Sequence, residues 1–211
     1  MTAKYIVVTG SVAAGATTVA NLILDRWDGT DLLEGQIEQI NPFFKDAQED
    51  PHRWSFASQA HFLAASAARH RELRSRLEGA TGFVVEDRTP FEHHGAYSLS
   101  AYESGYLSER EYALLSDLAR EIEPGYLVPD VVVYREMTQQ QLVERVKSRG
   151  REGESDDPKR LAAIHAAFET FIDDWNRSPL VRVPSEVDVF EPEGEAFVVQ
   201  AVAKYLGPPA R

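Results

Sequence analysis

The sequence predicts an α/β fold, a parallel five-stranded sheet with helices on both faces. Short runs of β-forming residues recur five times along the 211 residues, and the stretches between them space their apolar residues as helices do. The first strand also opens into a glycine-rich turn that leads straight into a helix. Strands that alternate with helices need crossover connections, which makes the sheet parallel and covers it on both sides. No internal repeat or low-complexity stretch interrupts the pattern, so residues 1–211 read as one domain.

Each element follows from local chemistry. Tyr5–Thr9 is an unbroken run of β-formers, followed by Gly10 to Gly15 and a helical stretch from Thr17 to Trp27. Asp31–Leu33 fits a second strand. Asp50 reads as an N-cap with Pro51 at the first helical position; the helix carries Trp54, Phe56, Phe62 and Leu63 and runs to about Leu77. Phe83–Glu86 is the third strand. From Ser108 to Ile122, Tyr112, Leu115, Leu118, Ala119 and Ile122 fall at helical spacing. Val131–Tyr134 is the fourth strand, after which Thr138 caps a helix through Val146. Ser148–Asp157 is polar and glycine-containing, hence a loop. From Pro158 a helix sets Leu161, Ile164, Phe168, Phe171, Ile172 and Trp175 on one face. Leu180–Val183 and a helix from Glu195 to Leu206 complete the chain.

Composition narrows the possible partners. The formal net charge is -12, which repels nucleic-acid backbones and anionic lipid, although a small anionic ligand can still bind where cations converge. Cysteine is absent, which excludes disulfides, thiolate metal sites and cysteine nucleophiles. The first ten residues lack a signal-peptide layout and no apolar run approaches a membrane span, so a cytoplasmic location is expected.

Gly10-Ser-Val-Ala-Ala-Gly15-Ala16-Thr17-Thr18 lies between a buried strand and a helix. That context suits phosphate: glycines let backbone N–H groups turn inward, and the helix start adds partial positive charge. Both glycines and Thr17 satisfy G-x-x-x-x-G-K-[ST], but position 16 is alanine where the pattern has lysine. Taken alone, the segment fits an ordinary strand–turn–helix connection equally well. Arg145, Arg149 and Arg151 are spaced so that a helix end and the following loop aim guanidiniums at one place, as suits bidentate phosphate binding. A solvated charged face is the competing reading.

Further motifs follow in order: Asn41-Pro-Phe-Phe44, Asp50-Pro-His-Arg-Trp-Ser-Phe-Ala-Ser-Gln59, Glu86-Asp87-Arg88-Thr89, Tyr102-Glu-Ser-Gly-Tyr106 and the arginine-rich Arg145–Glu154, then His165 and Trp175. Together they resemble the deoxynucleoside kinase family, including its bacterial deoxyadenosine and deoxyguanosine kinases, over nearly the whole chain. The resemblance implies the three-layer P-loop kinase fold with a lid at about 145–157, and a homodimer packed through helices. It implies that the backbone of Gly10, Ser11, Ala13, Ala14, Gly15, Ala16, Thr17 and Thr18, with Arg145 and Arg149, holds ATP or another nucleoside triphosphate. Thr17 and Asp87 would take Mg²⁺, while Arg88, Arg149 and Arg151 would act on the migrating phosphoryl group. Gln59 would read the base edge, Trp54 and Phe56 would be core or sandwich the base, and Glu154 would contact substrate. Val187–Gly194 would border the donor adenine.

The chain departs from the family at several points. The position of the family's general base, ungapped, falls on Gln36, and Glu34 is the candidate base with Glu38 in reserve. The sugar-contacting tyrosine falls on Gln48, a base-reading arginine on Ser66 and its acidic partner on His93. His93 and His94 are adjacent and point apart, so no transition metal is assigned. Lys147 and Lys45 are the plausible lysines to replace the one missing at position 16. Three readings remain: ATP-dependent phosphorylation of the 5′-hydroxyl of a (deoxy)nucleoside or analogue, a pseudokinase that binds nucleotide without transfer, or an accessory subunit. Arginines retained beside Asp87 and Arg88 favour the first.

Overall fold

Valine is the commonest residue of the strands, and the central strands are buried on both faces. Ile6 and Val8 face one layer while Tyr5 and Val7 face the other, the two-residue period of a pleated strand. The computed structural model describes residues 3–27, 30–33, 37–79, 81–150 and 155–209. Among them, β1 (Lys4–Thr9), β2 (Thr30–Leu33), β3 (Phe83–Asp87), β4 (Val131–Arg135) and β5 (Leu180–Val183) form one parallel sheet. The order is β2-β3-β1-β4-β5, so β1 is central and the turn after it lies between the carboxyl ends of β3 and β4.

Helices α1 (Ala16–Arg26) and α9 (Pro192–Leu206) cover one face, packing Val19, Ile23, Val198 and Val202 on Ile6, Val85 and Val133. On the other face lie α4 (Pro51–Gly79) and α8 (Pro158–Asp173), which bring Leu73 to Val7 and Phe168 to Tyr134. Each such fully buried side chain contributes about 1.5–3 kcal/mol. Between them run α2 (Ile37–Ile40), α3 (Phe44–Glu49), α5 (Leu99–Glu103), α6 (Glu109–Ile122) and α7 (Gln139–Arg149). Full capping boxes start α6 at Ser108 with Glu111 and α7 at Thr138 with Gln141. Among the described residues, no helix is long and apolar enough to cross a membrane.

The expected strands are all present. Several boundaries move: α7 continues through Arg149 into the predicted loop, α8 stops at Asp173 before Trp175, and α9 begins at Pro192. Trp175 packs beyond the helix against Phe91 and Phe171 and donates from Nε1 to Ser178 O at 3.1 Å. Helix α3 and the π-helical turn His93–Ser98 were not anticipated. Asn41 anchors α3 to α4: its Nδ2 donates to Ser58 Oγ at 3.0 Å, and its Oδ1 accepts from Phe43 N–H at 3.0 Å.

Beneath the sheet sits a closed polar cluster. Glu86 is 2% exposed; it accepts from the Tyr5 hydroxyl and pairs with Arg69 Nε at 2.8 Å and His70 Nε2 at 3.4 Å. His70 Nδ1 accepts the Leu127 N–H at 3.0 Å, so its proton sits on Nε2, toward Glu86. Burial, then the neighbouring carboxylate, raises the Tyr5 hydroxyl well above its ordinary range.

Candidate active site

The turn after β1 folds as a cradle because of two glycines. A Cβ on Gly10 would lie 2.8 Å from Ala14 Cβ and 2.9 Å from Arg135 O, too close for any larger residue. Gly15 adopts φ 87°, the left-handed region, and starts α1. Ala13 also lies there at φ 59°, at a cost of roughly 1–2 kcal/mol for a residue with a Cβ. The first turn of α1 bears no acidic residue and no side-chain cap, so its positive end faces the cavity that the loop encloses.

Cations reach this cavity from two directions. Arg145, on α7, donates from Nη1 to Ala14 O at 3.3 Å and to Ala13 O at 3.5 Å, and Arg149 lines the cavity one turn later. From β3 come Asp87 and Arg88. Thr17 Oγ1 donates to Asp87 Oδ2 at 2.6 Å, which sets two hard oxygen donors side by side at the mouth. Arg88 is held at φ 76°. Its Nη1 donates to Glu92 Oε1 at 3.0 Å and to the Tyr97 hydroxyl at 2.6 Å. Glu92 is fully buried and also accepts from the Thr9 hydroxyl and from Thr89 N–H at 3.2 Å. Burial raises the Glu92 carboxyl above its ordinary range, with Arg88 opposing that shift. Backbone strain at a residue so thoroughly held is characteristic of a functional position.

A second cavity adjoins the first, and Arg88 and Arg149 line both. Ser55, Ser58, Gln59 and Phe62 face it from successive turns of α4, opposite Ile164 and Arg160 of α8. The π-helical turn supplies His93 and Tyr97. His93 stacks on Phe62 with centroids 4.8 Å apart and planes 7° from parallel, and its Nδ1 has no hydrogen-bond partner. Burial, then Arg88 and Arg69, pushes the His93 imidazole down to about 3, so the ring is neutral near pH 7.

Residues 6–206 match the deoxynucleoside kinase family. The chain belongs to that family. It is 29% identical over 186 residues to a deoxyadenosine/deoxycytidine kinase of Bacillus subtilis, covering 87% of this chain and 83% of the relative. With a deoxyadenosine kinase of Dictyostelium discoideum it shares 25% over 199 residues, 93% of this chain and 78% of the relative. Among solved structures, the M. mycoides deoxyadenosine kinase with products dCMP and a flexible dCDP bound superposes with a TM-score of 0.80 at 19% identity, over 95% of this chain and 99% of that one. The same enzyme with bound dATP also superposes at 0.80, again at 19% identity, covering 94% and 98%. These superpositions establish the P-loop kinase fold.

Within this family member, the structure gathers most of the sequence-derived site. Ser11, Ala13, Ala14, Gly15, Ala16, Thr17, Thr18, Asp87, Arg88, Arg145 and Arg149 line the loop cavity, and Gln48, Gln59, Arg88, His93 and Arg149 line its neighbour. Trp54 does not line either cavity; it stacks on Phe43 with centroids 5.8 Å apart and lies under the Arg53 guanidinium. Ser66 is fully buried away from both cavities. Lys45 and Lys147 are exposed and line neither cavity, whereas Arg145 rests on the loop. Glu34, Gln36, Arg151 and Glu154 lie outside the described residues. Sequence reasoning missed Tyr97 and Arg160. Arg160 precedes Ile164 by one helical turn, a spacing that places it on the apolar face of α8.

Proposed function

We propose that this chain transfers the terminal phosphoryl group of ATP, or of another nucleoside triphosphate, to the 5′-hydroxyl of a deoxynucleoside or analogue. The observation that carries this reading is the meeting of two cavities at Arg88 and Arg149: one is built of backbone amides and arginines, the other of apolar and amide side chains. The loop amides and Arg145 hold the donor polyphosphate, with Arg145 supplying the charge that Ala16 cannot. In the transfer the donor's β–γ bridging P–O bond breaks, a bond from the acceptor oxygen to the same phosphorus forms, and the nucleoside diphosphate leaves. Arg88 and Arg149 stand where charge accumulates on the migrating group.

Thr17 and Asp87 fit Mg²⁺, being hard oxygens in contact at the cradle's mouth. When bound, the ion would neutralise phosphate charge. Glu34 is the proposed base that takes the acceptor proton. Gln59 and the neutral ring of His93 line the cavity for the base of the acceptor, which rests against Phe62. Leu114 and Leu118, exposed one turn apart on α6, support a homodimer through helices.

The test is transfer from γ-labelled ATP with Mg²⁺ across the deoxynucleosides, comparing wild type with Asp87→Asn. Labelled nucleotide from the wild type and a drop of about 100- to 1,000-fold in kcat for the variant are expected. Ala16 favours the rival reading of a nucleotide binder without transfer; ATP binding with no labelled product on any acceptor would establish it.

A further inference from the structure

The acceptor cavity carries a charge that the proposed reaction does not use. Among its described lining residues are three arginines, Arg88, Arg149 and Arg160, and no aspartate or glutamate. Such a wall is unusual in a chain of net charge -12, where acidic side chains are the commoner neighbours. Arg88 and Arg149 also line the loop cavity and so belong to the transfer end. Arg160 does not: it lines the acceptor cavity and not the loop cavity.

The surroundings of Arg160 offer it no close ion pair among the described residues, and burial outweighs the through-space attraction of Tyr106 and Asp157. Its Nη2 donates to Ala47 O at 3.3 Å and its Nη1 to Gln48 O at 3.4 Å, both neutral carbonyls at the end of α3. The Tyr106 ring lies 5.7 Å from the guanidinium carbon. No carboxylate among the described residues comes within ion-pair distance. Asp157, three residues earlier, caps α8, accepts the Lys159 N–H at 3.1 Å and attracts the guanidinium only through space. Burial pushes the guanidinium below its ordinary range, so holding this cation here costs stability. Two long contacts to carbonyls orient the fork without discharging it.

Building on the phosphotransferase reading, we infer that Arg160 recognises an oxyanion on the acceptor, a phosphate or carboxylate remote from the hydroxyl that is phosphorylated. A planar guanidinium held by one edge and open to a cavity is suited to that chemistry, and a neutral acceptor would leave it unpaired. Such an acceptor is a nucleoside bearing a phosphate on the far side of its sugar or an acidic group on its base. The preferred substrate is therefore a charged relative of the deoxynucleosides rather than the bare deoxynucleosides.

Calorimetry without ATP tests this directly. The ligands are the four deoxynucleosides, their 3′-monophosphates and a nucleoside with a carboxylated pyrimidine, titrated into wild type, Arg160→Met and Arg160→Lys; the two anionic series separate a sugar-borne charge from a base-borne one. One anionic series is expected to bind about 10- to 100-fold more tightly than its neutral parents, the scale of one charge-assisted hydrogen-bonded pair. That ratio should collapse toward unity in Arg160→Met and survive in part in Arg160→Lys. Being internal to each variant, it is insensitive to a general loosening of the fold. Neutral ligands binding as well as both anionic series, or a ratio unmoved in Arg160→Met, would overturn the assignment. Labelled-ATP transfer to the same ligands separates the two readings: an anion preference in binding with transfer to none leaves Arg160 its role and removes the kinase activity.

Discussion

Glu86 and Asp87 are consecutive on β3, yet alternation of the strand sends them into opposite environments. Glu86 enters a closed cluster in which Tyr5, Arg69 and His70 meet its two oxygens. Asp87 reaches the mouth of a cavity and touches Thr17. The same contrast separates two arginines. Arg69 pairs with Glu86 inside the protein, whereas Arg160 lines a cavity, held by two carbonyls and beside an aromatic ring, with no ion pair among the described residues. Charges that close on one another serve the fold, and charges left open at a cavity wall serve a ligand. Burial alone does not distinguish the two; the partners do.

The comparison breaks most visibly under substitution of the two carboxylates. Glu86→Ala leaves Arg69 and the other members of the cluster without their acid, and a loss of about 3–5 kcal/mol in urea denaturation is expected. Asp87→Asn should lower kcat, as stated above, while stability moves by less than about 1 kcal/mol, because its partner is an exposed hydroxyl. Equal destabilisation by both would mean that Asp87 is a structural residue and would remove the contrast.

Much of this arrangement is legible in the sequence because it follows from periodicity and capping. The central strands are apolar on two buried faces, and Ser108–Glu111 and Thr138–Gln141 carry their helix starts in the residue types themselves. The loop and the arginines of α7 likewise meet as their motifs imply. What the sequence hides depends on tertiary geometry. The turn His93–Ser98 is π-helical, so its spacing matches neither a strand nor a regular helix, and Tyr97 arrives at Arg88 unannounced. From sequence Trp54 fits either the core or a base sandwich, and the structure sets Phe43 against it. Spacing puts Arg160 on the apolar face of α8, and α3, packed beside it, makes that face a cavity wall.

A smaller effect sharpens the account of His93. Its folded value near 3 lies below the ordinary 6.5, so the unfolded chain binds the extra proton first as pH falls. The neutral ring's full contribution is present above about pH 6.5 and is lost progressively toward pH 3, at up to about 1.4 kcal/mol per unit. Replacing it in His93→Phe should flatten the acid limb of the stability curve, followed by urea midpoints between pH 7 and 5. An unchanged acid limb would mean that the ring is hydrated and charged.

The central claim is that residues 10–18 and the arginines of α7 hold one polyphosphate, with Arg145 standing in for the absent lysine. Calorimetric titration of ATP with Mg²⁺ into wild type, Arg145→Ala and the double variant Arg145→Ala with Ala16→Lys tests it most directly. The account expects affinity to fall about 10- to 100-fold in Arg145→Ala and to recover in the double variant. Undiminished binding in Arg145→Ala, or none in the wild type, would contradict it.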